Sequence, residues 1–115
     1  MNLNEYNIDG IIEDYGDYID DFGASTIEFY QFVIVERDFL ESVKNLLNNE
    51  QKRKLLVYDL KFINKAEPIY NFLKDEINFS EIDRPLKDWW WHVDKIAKGI
   101  LKIKFDYTIE VSVTA

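Results

Sequence analysis

Residues 26–35, TIEFYQFVIV, decide the predicted fold class. Every residue in this stretch except Glu28 and Gln31 is β-branched or aromatic. Such side chains are enriched in strands, because they pack well on a pleated and half-buried surface. The stretch therefore predicts a β-strand, and with it a fold that contains a sheet.

Two further stretches extend this expectation. In the segment 55–63 the apolar residues at 56, 58, 60 and 62 alternate as in a strand, whereas those at 56, 60 and 63 share a helix face. We expect a strand there. The clearest strand pattern lies at 101–113, where apolar and polar residues alternate without interruption. It predicts a long C-terminal amphipathic strand.

Helices are predicted around these strands. Apolar residues recur with a 3.6-residue period from Ile8 to Phe22, so we expect an amphipathic helix there that ends with Gly23 as its C′ residue. Signals for helix starts and ends predict three more helices. The first begins at the capping-box-like pair Asp38 and Glu41 and ends at Asn48-Asn49. The second has Pro68 in its first turn, and the third runs from Pro85 to Lys98 and Gly99.

About four helices and about three strands predict an α+β fold, built as a single two-layer domain over residues 1–115. In this arrangement an acidic N-terminal helical segment, residues 1–24, packs on an α+β core, residues 25–115. A chain of this length buries enough surface to fold without disulfides or a structural metal.

The acidic residues are distributed very unevenly. The formal net charge is −8, and the first 36 residues contain nine of the 22 acids but no Lys or Arg. The remaining residues hold 14 basic side chains against 13 acids, so they contribute only +1. Aromatic residues are interleaved with the acids of the first third, which is typical of a surface that binds a basic partner rather than of a solvating tail.

Several classes of protein are disfavoured by composition. The acidic charge repels nucleic acids and anionic membrane surfaces, so neither is an expected partner. The sequence has no cysteine, no secretory signal pattern and no apolar run long enough to cross a bilayer. We therefore expect a cytoplasmic protein without a cofactor. A monomer or a weak homodimer paired through the terminal strand is expected.

The first candidate site is the acidic helix. If the helix from 8 to 22 forms, its acids lie on the outer side and its tyrosines provide contact area for a basic protein. The alternative is a solvated helix face with the tyrosines simply in the core. The predicted partner-binding residues of this helix are Asp14, Tyr15, Asp17, Tyr18, Asp20 and Asp21.

A second candidate patch surrounds the tryptophan cluster at 89–91. On a helix from Pro85, Trp91 points away from the core, as interface anchors do, unless it covers a neighbouring element. Asp88 lies four residues before His92, the single histidine, and is within helical reach of it. We predict Asp88 and Trp91 as partner-binding residues and His92 as structural or interfacial.

Catalytic and metal-binding signatures are not found. One histidine without cysteines does not make a typical zinc site, and the acids of the first third do not have the spacing of a calcium-binding EF-hand loop. No serine lies in the sequence context of a catalytic nucleophile. We therefore expect no catalytic and no metal-ligating residues, and a small enzyme using carboxylates and His92 is the weaker alternative.

In size, acidity and exposed Tyr, Trp and Asp, the chain resembles bacterial immunity proteins, which neutralise nuclease toxins in the cytosol. Alternating strands and helices also resemble the barstar-type α/β inhibitor fold, the alternative architecture. The resemblance implies a non-enzymatic inhibitor that covers the basic active site of a toxin domain. A phage-encoded nucleic-acid mimic that inhibits a host defence effector is similar in character and is the alternative function.

Overall fold

The computed structural model describes residues 7–103, and the regular elements in this range are helical. They are α1 (Ile8–Asp20), α2 (Thr26–Phe29), a π-helical segment (Tyr30–Val35), α3 (Glu36–Ser42), α4 (Asn49–Asn64), α5 (Ala66–Leu73) and α6 (Val93–Ala97). Short 3₁₀ turns span Lys44–Leu46, Phe79–Glu81 and Trp89–Trp91. Residues 7–103 contain no strand, so the α+β prediction and the barstar-like α/β alternative are both wrong.

The stretch 26–35 is helical because its N-terminus is capped. Ser25 has an extended backbone, and its hydroxyl accepts a hydrogen bond from the backbone N–H of Glu28 at 3.2 Å. This bond satisfies a donor that the first helical turn leaves free. Phe29 and Val33 then face the core four residues apart, while Ile27 and Val35 are exposed. Capping and burial of one helix face outweigh the strand propensity of the individual residues.

The stretch 55–63 belongs to α4, so the strand predicted there is also wrong. Asn48 and Gln51 form a complete capping box, in which each side chain bonds the backbone N–H of the other. Asn48 thus begins α4 instead of ending the preceding helix. The buried residues of α4 are Leu55, Asp59 and Phe62, at helical spacing.

The predicted N-terminal helix is confirmed in α1, which buries Ile12, Tyr15 and Ile19 along one side. Asn7 caps it by accepting a hydrogen bond from the backbone N–H of Gly10 at 3.0 Å. The predicted helix end is wrong, because α1 stops at Asp20 and Gly23 has no positive φ.

The helix predicted from Pro85 is interrupted. Its residues form the 3₁₀ turn Trp89–Trp91 and then α6, separated at His92, whose φ and ψ are −121° and 40°. The predicted stop at Lys98 and Gly99 is confirmed. Gly99 has a φ of 73°, and the N–H groups of Gly99 and Ile100 bond the last turn of α6 in the double pattern of a Schellman motif.

The remaining helix predictions have mixed outcomes. Pro68 lies in the first turn of α5, as predicted. The pair Asp38 and Glu41 does not begin a helix, because the chain is already helical from Thr26. Most of the predicted terminal strand, residues 104–113, lies outside the described residues, and residues 101–103 form no regular element.

A buried polar network lies within the hydrophobic core and links α1, α3 and α4. The Arg37 guanidinium donates to both carboxylate oxygens of Asp59, with Nε 2.9 Å from Oδ1 and Nη2 3.0 Å from Oδ2. The Tyr15 hydroxyl donates to Oδ1 of Asp59 at 2.6 Å. The ring centroid of Trp90 lies 4.5 Å from the guanidinium carbon of Arg37. Four segments of the chain therefore converge on one buried ion pair.

The protonation states of this network follow from its surroundings. Burial alone would lower the pKa of Arg37, but the electrostatic interactions with Asp59, Tyr15 and Glu41 and the hydrogen bond to Asp59 together outweigh it and hold that pKa above its usual value. Burial, and then the charge of Asp59, raises the pKa of Tyr15, so the hydroxyl stays a donor. Burial raises the pKa of the Asp59 carboxyl, while the Arg37 guanidinium opposes that rise.

Replacing Asp59 tests the network. Asp59→Ala leaves the Arg37 guanidinium buried without its partner, and we expect a loss of about 3–5 kcal/mol in the free energy of unfolding, measured with urea. Glu41→Ala is the matched control, because Glu41 bonds Arg37 at 3.0 Å but is exposed, and it should cost less than about 1 kcal/mol. The double variant Arg37→Met/Asp59→Leu should recover most of the loss. Equal effects of Asp59→Ala and Glu41→Ala would contradict this assignment.

Replacing Ser25 tests the helical state of residues 26–35. Ser25→Ala removes the N-cap and should lower the free energy of unfolding by about 1 kcal/mol. Ser25→Asp retains a capping oxygen and should preserve stability. If both substitutions leave urea unfolding unchanged, the cap does not hold this helix.

Candidate partner-binding surface

Helix α4 neutralises one side of the acidic helix α1. Lysine side chains of α4 and the residue after it reach the carboxylates of α1 across the helix pair. The ion pairs are Lys54–Glu13 at 3.1 Å, Lys61–Asp20 at 3.2 Å and Lys65–Asp20 at 3.4 Å. The hydrogen bond from Lys54 lowers the pKa of Glu13, and that from Lys61 lowers the pKa of Asp20. This part of the acidic charge therefore serves contacts within the chain.

Three acids of α1 and the residue after it have neither a cation nor a hydrogen-bond partner among the described residues. Asp14, Asp17 and Asp21 are exposed, and their carboxylates form no ion pair or hydrogen bond within residues 7–103. Their spacing of three and four residues places them along one face of a helix. Their charges add up on this face without compensation from a side chain of the opposite sign.

Glu36, at the start of α3, brings a fourth carboxylate to this region. Partial burial raises the pKa of Glu36, and the negative charge of Asp14 raises it further. No cation binds Glu36 in the described part of the chain. Two neighbouring acids from different helices thus repel each other, and folding alone gains nothing from their proximity.

An aromatic pair lies beside these acids. The rings of Tyr18 and Phe32 are stacked, with centroids 4.7 Å apart and planes only 9° from parallel, and both side chains are partly exposed. The pair joins α1 to the π-helical segment. We use the name outer acidic face for the set Asp14, Asp17, Tyr18, Asp21, Phe32 and Glu36.

The structure separates the residues predicted on the acidic helix into three groups. Asp14, Asp17, Tyr18 and Asp21 lie on the outer acidic face, as described above. Tyr15 is completely buried and bonds Asp59, so it is not available to a partner. Asp20 is taken up by the two lysine contacts from α4 and its end.

The predicted second patch is a separate cluster. The Trp91 ring is stacked under Arg84, whose guanidinium carbon lies 4.6 Å from the ring centroid, and its Nε1 donates to Asp38 at 2.8 Å. Asp88 lies 3.7 Å from Nε of the same arginine. Neither side chain forms a hydrogen bond, ion pair or ring contact with the described residues of α1. Trp91 therefore covers a neighbouring element and does not extend the outer acidic face.

His92 is a structural residue in this geometry. It is buried, and its Nε2 donates to the backbone carbonyl of Arg84 at 2.8 Å, so Nδ1 is left to accept from Lys95 at 3.4 Å. Asp88 contacts Arg84 and not His92, so the expected orienting pair of Asp88 and His92 does not form. Both ring nitrogens are used within the fold.

A cleft of about 590 Å³ between α5, the segment after it and α6 is chemically different. Lys74, Lys95 and Lys98 line it together with Asp75, Glu76 and Asp94, so both charge signs are present. Asp94 is buried, and its Oδ1 has no hydrogen-bond partner within residues 7–103. The balanced charge of this cleft contrasts with the single sign of the outer acidic face.

Residues 7–103 contain no cluster of three or more His, Asp or Glu side chains suited to a metal ion. None of the described helices combines the length and apolar character required to cross a membrane. Comparisons with protein-family models, curated proteins and solved structures find no match to this chain.

Two members of the outer acidic face, Phe32 and Glu36, were missed by sequence reasoning. The strand predicted at 26–35 does not place these two side chains beside the acids of α1. The sequence Ser25-Thr26-Ile27-Glu28 is a capping-box signature and contains the signal that would have revealed the helix.

The pH dependence of folding stability distinguishes the paired acids from the unpaired ones. A raised pKa means that Glu36 stabilises the fold only while protonated, and this stability is lost as pH rises through its folded-state pKa. Glu36→Gln should therefore raise the melting temperature at neutral pH, with no gain below about pH 4, where the glutamate is protonated as well.

Glu13→Gln is the matched control with the opposite sign. The pKa of Glu13 is lowered, so its stabilisation is present above the unfolded-state pKa and is lost as pH falls through the folded-state pKa. Glu13→Gln should lower the melting temperature at neutral pH and have little effect in acid. The same sign of shift in both variants would contradict the assigned pairing.

Proposed function

We propose that this chain is a non-enzymatic inhibitor that binds a basic partner protein, as an immunity protein binds a nuclease-type toxin, and that it acts in the cytoplasm. The observation that supports this function most directly is the row of exposed carboxylates Asp14, Asp17 and Asp21, which form no ion pair or hydrogen bond within residues 7–103. Glu13 and Asp20 on the other side of α1 have cations from α4. The negative charge of Asp14 also raises the pKa of Glu36, so like charges repel on this face.

A basic partner relieves this repulsion. Lys or Arg side chains of a partner placed over Asp14, Asp17 and Glu36 form ion pairs with these like-charged groups. The electrostatic free energy of this face is therefore lower in the complex than in the free chain. A field of one sign also steers the approach of an oppositely charged protein and raises the association rate. Both effects weaken as salt screens the charges.

The aromatic pair supplies the contact area that charge alone does not provide. Stacking against Phe32 restricts the Tyr18 ring before any partner arrives, so less side-chain entropy is lost on binding. Aromatic residues are prominent among the side chains that contribute most to protein interfaces. The acids then orient the partner, and the ring pair packs against it.

The proposal is tested with the protein encoded by the adjacent gene as the partner. Association is measured by surface plasmon resonance at low and high salt, and inhibition by growth of cells that express both proteins. We expect the wild-type chain to bind, to restore growth, and to associate about tenfold more slowly when salt is raised from about 0.05 to 0.5 M.

Asp14→Asn/Asp17→Asn should associate about tenfold more slowly than wild type at low salt and should respond less to salt. The matched control is Glu50→Gln/Glu67→Gln, which removes the same charge from exposed positions of α4 and α5. Equal binding by both variants would refute the outer acidic face as the contact surface. A neighbouring gene product that neither binds nor affects growth counts against the inhibitor function itself.

A further inference from the structure

A second surface, on a different side of the α2 and π-helical stretch, exposes apolar side chains. Ile27 is 70% exposed and Tyr30 is 39% exposed, although both are large hydrophobic residues. They line a cleft of about 260 Å³ together with Thr26, Glu76 and Ile77. We call this cleft and its continuation described below the Ile27 groove.

The groove continues as a narrow apolar crevice. Tyr30 and Ile77 belong to both parts, and the crevice adds Phe79, Ile82 and Trp91. The rings of Tyr30 and Trp91 meet edge to face, with centroids 5.6 Å apart. A binding segment would therefore find a continuous apolar floor whose aromatic side chains are already held in place.

The charged side chain among the residues that line the Ile27 groove is Glu76. One wall belongs to residues 25–36 and the other to residues 75–83, and neither stretch contains Lys or Arg. Of their acids, Glu76 lines the cleft and Glu28 directly follows Ile27. Neither of these carboxylates forms an ion pair or a hydrogen bond with another described side chain. An apolar floor beside carboxylates that bind no cation favours an occupant with apolar side chains on one face and basic side chains at its edge.

We propose that the Ile27 groove binds a basic amphipathic helical segment of a partner protein. Apolar side chains three and four residues apart on that segment enter the groove, and its Lys and Arg side chains face the acidic walls. The chemistry is that of helix-in-groove recognition with charge complementarity at the rim. The segment gains apolar burial at Ile27 and Tyr30, which the fold itself leaves exposed.

Three alternative occupants of the Ile27 groove are disfavoured because they carry negative charge themselves. In a two-fold dimer through this face, the same acidic walls would meet each other. The chain's own residues 104–115 contain Lys104 against Asp106 and Glu110, so they are net negative as well. Nucleic acid is repelled for the same reason.

The groove and the outer acidic face are independent surfaces that share one stretch of helix. Phe32 contacts Tyr18 on α1, whereas Tyr30 contacts Trp91. Loss of one surface by substitution therefore leaves the contacts of the other in place.

The test uses a synthetic leucine–lysine amphipathic peptide about four helical turns long, labelled with fluorescein, and measures fluorescence anisotropy with the full chain. We expect saturable binding of this peptide and no binding of the analogue in which glutamate replaces lysine. Ile27→Ser should raise the dissociation constant of the peptide at least about tenfold, because an apolar contact is lost.

Val57→Ser is the matched control, since Val57 is a half-exposed apolar residue on α4, away from the groove lining, and its substitution should leave binding unchanged. Glu28→Gln/Glu76→Gln should weaken binding and flatten its dependence on salt. Wild-type affinity in Ile27→Ser, or equal losses in Ile27→Ser and Val57→Ser, would overturn the proposal. If Asp14→Asn/Asp17→Asn loses the peptide while Ile27→Ser retains it, the peptide binds the outer acidic face, and only the groove proposal fails.

Discussion

The ion pair between Arg37 and Asp59 joins α3 to α4 in a part of the core that water does not reach. Two parallel hydrogen bonds between a guanidinium and a carboxylate tolerate little rotation of either helix. Tyr15 adds α1 to the same carboxylate, and Trp90 covers the guanidinium. An arrangement that separates the two charges leaves one of them buried without a partner, which costs about 3–5 kcal/mol. This network therefore sets how α1 is rotated, and with it which acids of α1 face outward.

The acidic first third has two different roles once α4 is considered. Lys54 and Lys61 come from a distant part of the sequence and neutralise one side of α1, which explains why no nearby base is needed there. The other side keeps its charge. A count of acids along the sequence combines the two sides, and only the packing of α1 against α4 separates them. The candidate surface is smaller than the sequence indicates, and it includes Glu36 from another helix.

The sequence predicts α1 well, because its apolar residues keep one period and its core side is uncharged. It fails at 26–35, where strand-favouring side chains lie on a helix that leaves Ile27 and Val35 in solvent. It fails at 55–63 because the buried face includes Asp59, which a reading of apolar periodicity counts as polar. The partner of that buried charge, Arg37, is 22 residues away in sequence. A local sequence pattern does not show an ion pair between residues so far apart. These helices, and the groove between residues 25–36 and 75–83, are therefore recognised only from the three-dimensional structure.

The π-helical segment Tyr30–Val35 absorbs one residue within a continuous helix. A π turn accommodates one residue more than an α turn. Deleting a single residue there would leave an ordinary α-helix in which one residue fewer completes the same turn, so α2 and α3 would keep nearly the same rotation relative to each other. A deletion at another position of this helix would rotate its two ends by about 100° and turn Ile27 away from Ile77. The π segment is thus the part of this helix at which a change in chain length alters the geometry of the two surfaces least.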